Sequence, residues 1–409
     1  MKRQKIIEFI FLWLCFANIF IALIIYPINQ IQSSIYGLKD VPYYLIAILS
    51  LLLSIYNTNW VIKRSNVIYF IGLIYIIFAL LISSAGIVSK IAAIRQIVGF
   101  FVIYGTVSFL SNKRDVNDNK IIRIIIYSSI PIILIGWLAN YLSLWDNDII
   151  RHYFIGKSIG IVQSGYPAHF IAILPFEIFG KNEILRETSI FLDPINYGHI
   201  LVFWIVLITQ YHFPKSKSKR KLFILISFAT ILLTFSKGAL LQLFLIYYLL
   251  NKNLNKMMRV VVALLFLFLF YFAYIYLLNV RLHVDGFIIG IKNAGFFGQG
   301  LGMVGNYASM LGDSNIDGLG DSYWGSLFGQ IGWIGGIIFI FSIIHIYKQI
   351  PNSLLLIKNL FLSQFLIGVF SENALNISSC FGVAIVSAIV IQNKLNYKIK
   401  NYVTADCNN

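Results

Sequence analysis

Long apolar runs separated by short polar connectors dominate the chain. Most of these runs approach the roughly 20 residues that an α-helix needs to cross a bilayer. They are apolar throughout, as in "VVVALLFLFLFYFAYIYLLNV", and lack the alternating polarity of barrel strands. The pattern therefore predicts an all-α polytopic membrane protein. The candidate spans are 6–26, 41–57, 67–84, 93–110, 121–141, 197–212, 222–235, 238–250, 260–280, 326–347, 354–370 and 380–393.

The composition agrees with a single integral membrane domain over residues 1–409. Hydrophobic residues make up 59% of the chain, charged residues 12%, and the mean hydropathy is +0.80. The net charge of +16 comes from short clusters between the apolar runs, with no basic domain or tail, so we expect no nucleic-acid partner. The three cysteines have no metal-ligand or disulfide spacing.

The positions of the basic clusters predict the topology. Cytoplasmic loops are enriched in Lys and Arg, and most of the 32 basic residues fall on one side if the N-terminus is inside. Twelve crossings then leave both termini in the cytoplasm. The first run, after "MKRQK", is long for a signal peptide and no small-residue cleavage site follows it, so we expect a retained helix.

A lysine and a glycine interrupt the apolar run from 222 to 250, in "LLTFSKGALLQLF". Basic clusters flank this run on both sides, "KSKSKRK" before it and "NKNLNKMMR" after it. Both clusters can be cytoplasmic only if the chain crosses an even number of times between them. The sequence therefore predicts a tight outer turn at Ser236-Lys237-Gly238. Lys237 either marks the membrane interface or faces an anion there.

Two predicted external segments are long enough to carry a function, 142–196 and 281–325. In the first, the proline-broken apolar stretch 166–179 is too short to span and predicts a helix lying on the membrane surface. The second is glycine-rich and contains G-x-G-x-x-G, but no strand and helix surround it as a dinucleotide fold requires. Its three spaced aspartates lack a supporting histidine, so we expect no metal.

Basic residues on the predicted outer side suggest a ligand. The positive-inside rule should deplete that side, yet Arg151, Arg186, Lys237 and Arg281 lie there. Arginine's planar fork matches phosphate oxygens in a bidentate way. Arginines in an outward-facing cavity at membrane level therefore favour a lipid-linked phosphate or pyrophosphate, and solvated loop charge is the alternative.

Three stretches carry a family resemblance. They are "RETSIFLDPINYGHIL" (186–201), "LLTFSKGALLQL" (232–243) and "GQGLGMV" followed by "GDSYWGSLFGQIGWIGG" (298–336). In order and spacing they resemble the motifs of bacterial O-antigen polymerases and the related O-antigen ligases. Each motif is degenerate, and their joint order within a twelve-span layout is more specific. The resemblance covers about 186–336, while the first half matches in topology only.

The resemblance implies a metal-independent, cofactor-free glycosyltransferase of the GT-C type at the periplasmic face of the bacterial inner membrane. Its substrate would be an undecaprenyl-pyrophosphate-linked oligosaccharide within the lipid bilayer, and a chain-length regulator protein would be a partner. Arg186, Asp193 and Asn196 match the family's "R…(D)PN" element, which Ile195 interrupts here. Lys237 replaces the arginine of the family's "SRG" turn, keeping the charge but losing the fork.

The chemistry assigns roles to the candidate residues. Cations lower the barrier for departure of a pyrophosphate, and a carboxylate suits the base that activates the attacking sugar hydroxyl. We expect Asp321 to be that base, with Asp193 second. The candidate pyrophosphate ligands are Arg186, Arg281, Lys237 and Arg151. Tyr197, Tyr323 and Trp324 are candidates for stacking on sugars, and interfacial anchoring is their alternative role.

Two other functions compete with polymerisation. A ligase would transfer the finished glycan to lipid A core, and that branch is expected to carry a histidine late in the second long loop. Here His283 lies early and Asp321-Ser322 occupies the later position, which favours the polymerase. A transporter would place ionisable groups at mid-membrane and show internal repeats, and neither pattern is evident. The sugars and the linkage cannot be read from the sequence.

Overall fold

The computed structural model is predominantly α-helical. It describes residues 2–28, 41–56, 67–111, 118–155, 161, 166–178, 181–249, 257, 260, 261, 264, 278–310, 312–314 and 322–406. The first nine helices are α1 (Lys2–Ile28), α2 (Val41–Tyr56), α3 (Val67–Ile82), α4 (Ile87–Ser111), α5 (Asp118–Tyr141), α6 (Asp148–Ile155), α7 (Pro194–Gln210), α8 (Lys217–Thr234) and α9 (Lys237–Phe244). The other helices are α10 (Leu278–Lys292), α11 (Asn306–Met310), α12 (Tyr323–Gln349), α13 (Leu355–Ile367) and α14 (Ile377–Asp406). A π-helical turn, Leu245–Leu249, continues α9.

Four helices in the described part of the chain are long and apolar enough to cross a membrane. They contain the segments Arg3–Ile24, Ile87–Ser111, Asn119–Tyr141 and Tyr323–Gln349. Shorter apolar helices occupy Ile71–Ile82, Pro194–Gln210, Asn352–Ile367 and Ile377–Asn393. An all-α membrane protein is therefore the class that the structure supports. The predicted run 260–280 falls largely outside the described residues.

The predicted surface helix at 166–179 is wrong, because this stretch forms a β-hairpin. Strand β1 (Ile171–Ile178) pairs antiparallel with β2 (Lys181–Leu185), and Ile171 lies opposite Leu185. Proline interrupts a helix by removing an N–H donor and by clashing with the preceding turn, whereas β-branched residues suit a strand. Pro167 precedes the hairpin and Pro175 lies within β1. The hairpin leads directly into Arg186.

Two compact units make up the chain. The first contains residues 1–50, 103–240 and 381–409. Its core is α7, which is buried on all sides because it is apolar around its whole circumference. α7 packs against α5 and against α8, to which a short turn connects it. Gly198 of α7 lies so close to Ser236 and Ala239 that an added Cβ would approach their side chains within 2.9 Å.

The second unit contains residues 51–102 and 241–380. Here α12 packs against α3 and α10. α12 is interrupted at Gly332, whose backbone is non-helical with φ +67°. The first part of α12, before this break, is almost completely buried.

Candidate functional site

The first two sequence motifs meet at the end of α8. Arg186 Nε donates a hydrogen bond of 2.9 Å to the carbonyl of Thr234, and the backbone N–H of Glu187 donates one of 2.9 Å to Leu233. These carbonyls belong to the last turn of α8, where no following helical N–H group is left to donate to them. The segment after β2 therefore supplies the donors that the ended helix lacks.

The break between α8 and α9 is at Phe235 and Ser236. Phe235 adopts the left-handed conformation with φ 49°, and Lys237 is already the first residue of α9. The predicted turn at Ser236-Lys237-Gly238 is thus displaced toward the N-terminus and does not use the glycine. Within the described residues, α9 makes no extended contact along α8, as the second arm of a tight hairpin would.

The N-terminus of α9 has the properties of an anion site. Ser236 accepts a hydrogen bond from the N–H of Ala239 at 3.3 Å and so occupies the capping position. No described residue accepts from the N–H groups of Lys237 and Gly238. The Lys237 side chain is exposed, and the described residues include no ion-pair partner for it. Free N–H groups at a helix N-terminus attract anions.

Arg186 makes three hydrogen bonds, one of them to the end of α8. Its backbone N–H donates to Phe170 at the base of the hairpin (2.7 Å), and Nη1 donates to the carbonyl of His169 (3.4 Å). Burial lowers the pKa of the guanidinium from its ordinary value, and the charge of nearby Asp193 opposes that change. The remaining terminal nitrogen, Nη2, has no acceptor among the described residues. It can donate to an incoming anion.

Asp193 lies at the N-cap of α7. Its Oδ1 accepts from the N–H groups of Ile195 (2.8 Å) and Asn196 (3.1 Å), and Oδ2 accepts from Asn196 Nδ2 (2.8 Å). Pro194 occupies the first helical turn, where its fixed φ is favourable. His169 Nε2 is 3.3 Å from Oδ1. The "DPIN" sequence is therefore a helix-start signal, and capping engages both oxygens of this candidate base.

Glu187 is a site residue that sequence reasoning missed. It is buried, and burial raises the pKa of its carboxyl to about 7. Oε2 accepts from Asn140 Nδ2 at 2.7 Å, and Oε1 accepts from the N–H of Ser189 at 3.2 Å. Gly136 makes room for it, because a Cβ there would lie 2.3 Å from Oε1. No pattern in the sequence signals that this acidic loop residue is inside.

The other two proposed cations, Arg151 and Arg281, each lie beside carboxylates of their own helix or its approach. Arg151 lies on α6 and is ion-paired with Asp146 and with Asp148, the latter at 3.0 Å, so local carboxylates share its charge. Arg281 belongs to the second unit, on α10, where it is exposed and lies 3.4 Å from Asp285. Of the four proposed ligands, Arg186 contacts the end of α8 at Thr234, three residues before Lys237.

The proposed sugar-stacking rings are buried. Tyr197 has no exposed surface and stacks on Phe191, with 5.6 Å between the ring centroids. Tyr323 and Trp324 are 2% and 9% exposed, and Trp324 Nε1 donates to the carbonyl of Phe365 at 2.8 Å. Protein atoms cover these rings in this conformation, so core packing accounts for them better than sugar binding or interfacial anchoring.

The third motif builds a different helix break. The loop Gly295–Gly300 inserts into the interruption of α12 and exchanges hydrogen bonds with it. The N–H groups of Gln299 and Gly300 donate to Gly329 and Gln330, and those of Trp333 and Ile334 donate to Gly295 and Phe296, all at 2.9 to 3.2 Å. The glycines at positive φ permit this backbone-to-backbone contact. The G-x-G-x-x-G spacing is therefore explained by packing.

The residues that the structure describes contain no cluster suited to a metal ion. In the described ranges, no three His, Cys, Asp or Glu side chains lie close enough to bind a metal ion. Asp313 accepts from Ser89 Oγ and from the N–H of Gly86 at the start of α4, while Asp317 and Asp321 lie outside the described residues.

No family model, no curated protein and no solved structure matches the chain.

Proposed function

We propose that the protein is a glycosyltransferase that polymerises undecaprenyl-pyrophosphate-linked oligosaccharides into O-antigen or a similar surface polysaccharide. It would act at the periplasmic face of the bacterial inner membrane through a GT-C-type fold of about twelve spans, with both termini in the cytoplasm. A chain-length regulator protein is a proposed partner. The resemblance of the three motifs motivates this proposal, and the geometry around Arg186 supports it.

The observation that carries the proposal is the contact between Arg186 and the α8–α9 break. It joins two motifs that are 48 residues apart in sequence. The contact holds a largely buried guanidinium at Thr234, three residues before the exposed Lys237 at the start of α9. Rigid cations and helix N-terminal N–H groups are the usual protein ligands of phosphate and pyrophosphate.

The reaction needs those ligands at the leaving group. A sugar hydroxyl attacks the anomeric carbon of the growing glycan, the bond to the pyrophosphate oxygen breaks, and negative charge develops on that oxygen. Donors fixed before the reaction stabilise this charge at no reorganisation cost. Arg186 and Lys237 are assigned to the pyrophosphate. Asp321 remains the proposed base, because capping of α7 engages Asp193.

Complementation of a strain lacking the gene tests the proposal. Loss of a polymerase should leave lipid A core carrying a single repeat, whereas loss of a ligase should leave bare core and accumulated lipid-linked polymer. Arg186→Ala should reproduce the single-repeat gel pattern at normal protein level. Arg186→Lys should restore the longer polymer only in part. Arg220→Ala is the matched control, because Arg220 also donates to a backbone carbonyl, at 3.2 Å, near the opposite end of α8. Bare core in the deletion strain would replace the polymerase by the ligase.

One observation favours a transporter as the second candidate. Interrupted helices such as α12 are common in transporters, where the broken ends bind the substrate. Here, however, the exchanged hydrogen bonds occupy the groups freed on both sides of Gly332. The transporter would be favoured if membranes of the deletion strain synthesise normal polymer and this polymer stays on the cytoplasmic side.

A further inference from the structure

We propose that the surface formed by the first turns of α5 and α8 binds an anionic phospholipid of the surrounding bilayer. Three side chains, Arg123, Lys217 and Lys221, would hold its headgroup, and we call them the basic rim. The rim lies at the opposite end of α8 from the Arg186 contact. The inference therefore does not rest on the proposed function.

The exposed face of α8 changes from basic to apolar along the helix. Lys217 and Lys221 are exposed at its start. Further along, Leu225, Phe228 and Leu232 are exposed. At 100° per residue, these five positions fall within a sector of about 80°. One face of α8 thus carries positive charge at one end and apolar surface along the rest, which complements a lipid with an anionic headgroup.

α5 has a similar exposed face. Arg123 is exposed in its second turn. Tyr127, Leu134 and Leu138 are exposed beyond it, and the four positions fall within a sector of about 60°. Exposed apolar faces of helices in a membrane protein are covered by acyl chains, so the basic end of each face lies where headgroups begin.

Contacts at both ends align the two faces. The Arg123 guanidinium lies 5.8 Å from the ring centre of Phe213, in the connection that leads into α8. The Tyr127 ring packs edge-on against the same ring, with 4.9 Å between the centroids. Near the other end, Trp137 Nε1 donates to Thr230 Oγ1 at 3.1 Å. The two helices therefore run in the same direction, and their basic residues lie at the same end.

The charges of the basic rim are not used within the described part of the chain. The ion pairs found there include none with Arg123, Lys217 or Lys221. Arg220 differs, because it donates to the carbonyl of His212 at 3.2 Å, and it is not assigned to the rim. Cations at the start of a helix oppose its dipole, and the first turn of α8 has no acidic residue. Helix stability therefore does not account for the two lysines.

The combination of charge and apolar surface selects the occupant. A free phosphate ion would use the basic rim but not the apolar faces. A zwitterionic lipid would use the apolar faces but would bring its own cation to the lysines. An anionic phospholipid uses both, and each Lys or Arg near its headgroup strengthens binding by about fivefold.

Native mass spectrometry of the full chain in detergent tests the inference. The protein is titrated with phosphatidylglycerol and with phosphatidylcholine of the same acyl chains. The wild type should bind phosphatidylglycerol at least fivefold more tightly, a difference of about one rim charge. Lys217→Gln and Lys221→Gln should each weaken phosphatidylglycerol binding by about fivefold and leave phosphatidylcholine binding unchanged.

Lys219→Gln is the matched control. Lys219 is exposed and lies at the same end of α8, but about 200° around the helix from Lys217. The variant removes the same charge from the other side of the helix, so it should bind phosphatidylglycerol like the wild type. These exposed substitutions create no cavity and should not disturb folding.

Three results would overturn the inference. One is equal affinity of the wild type for the two lipids. Another is a loss in Lys219→Gln as large as in Lys217→Gln, which would indicate a general attraction between charges. The third is displacement of phosphatidylglycerol by inorganic phosphate at equal concentration, which would indicate an anion site that makes no use of the acyl chains.

Discussion

The chain has helix breaks at Gly332 and at Phe235, and each leaves backbone groups without a helical hydrogen-bond partner. Different chemical groups satisfy them at the two breaks. At Gly332 of α12, the free backbone groups are satisfied by the backbone of the loop Gly295–Gly300. At Phe235, the carbonyls that α8 leaves free are satisfied in part by the charged side chain of Arg186. The first break needs no ionisable group, whereas the second gathers Arg186, Lys237, Glu187 and Asp193.

The difference indicates where function lies. A charge placed near apolar surroundings is costly, and backbone donors would have sufficed at the α8 end as they do in α12. An arginine at this position supplies a further donor, Nη2, that the helix end does not use. We therefore regard the break in α12 as a structural closure and the α8–α9 break as the proposed pyrophosphate site. The following predictions test that distinction.

The largest expected effect is on folding and comes from the uncharged break. Gly332→Ala places a Cβ 2.3 Å from the N–H nitrogen of Gly298, at a φ that L residues rarely adopt. Backbone cannot yield as a flexible side chain can, so we expect a loss of roughly 3 kcal/mol or more and little folded protein. Fluorescence-detected size exclusion measures this. Gly105→Ala, where no atom lies within 4 Å, is the control and should express normally.

The next effect is on activity and comes from the charged break. Arg186→Ala should lower the rate of polymer formation by about a hundredfold, because one charge-assisted donor to the leaving group is lost. The variant should still fold at reduced stability, because it loses the hydrogen bonds of a charged donor to the carbonyls of Thr234 and His169, worth about 1.5 to 3 kcal/mol each, without creating a clash. Turnover by purified protein in vesicles, normalised to folded protein, measures it. Loss of folding in place of activity would make this break structural as well.

A smaller effect is expected at Lys237. This exposed ammonium contributes a point charge, so Lys237→Ala should weaken donor binding by about fivefold to tenfold, and added salt should reduce the difference. Lys237→Arg should bind at least as well as wild type. The apparent KM for the lipid-linked donor at low and at high salt provides the test. Equal values for Lys237→Ala and wild type at low salt would remove Lys237 from the site.

The smallest effect should come from Asp193. As an N-cap it contributes about 1 kcal/mol, so Asp193→Ala should lower the thermal stability modestly. Asp193→Ser and Asp193→Asn retain a capping acceptor and should be near normal in both stability and activity. A large loss of activity in Asp193→Asn, with normal stability, would instead restore Asp193 as a candidate base.

Hydrophobic patterning predicted the helices but not the details at their ends. The apolar runs correspond to α1, α4, α5 and α12, because burial and lipid contact both favour continuous apolar surface. The turn position was missed because glycine was expected in the left-handed conformation, whereas Phe235 adopts it. Hydrogen bonds from Arg186 Nε and from the Glu187 N–H to the last turn of α8 stabilise a helix that ends at that residue.

Two further features were not predicted from the sequence. The 171–185 hairpin replaces the expected surface helix, and its backbone hydrogen bonds form between the two strands and not within a helix. The burial of Glu187 depends on the space left by Gly136 and on the amide of Asn140, which lies 47 residues away in sequence. Arg186 and Lys237 were predicted as ligands, but the contact of Arg186 with the end of α8 was not.

Binding of a short-chain polyprenyl pyrophosphate to the purified protein tests the central claim most directly. Titration calorimetry of the wild type, Arg186→Ala and Arg220→Ala compares two arginines that donate to carbonyls near opposite ends of α8. If the α8–α9 break is the pyrophosphate site, Arg186→Ala should bind at least tenfold more weakly, corresponding to about 1.4 kcal/mol, and Arg220→Ala should bind like the wild type. Equal affinity for Arg186→Ala and wild type would contradict the account.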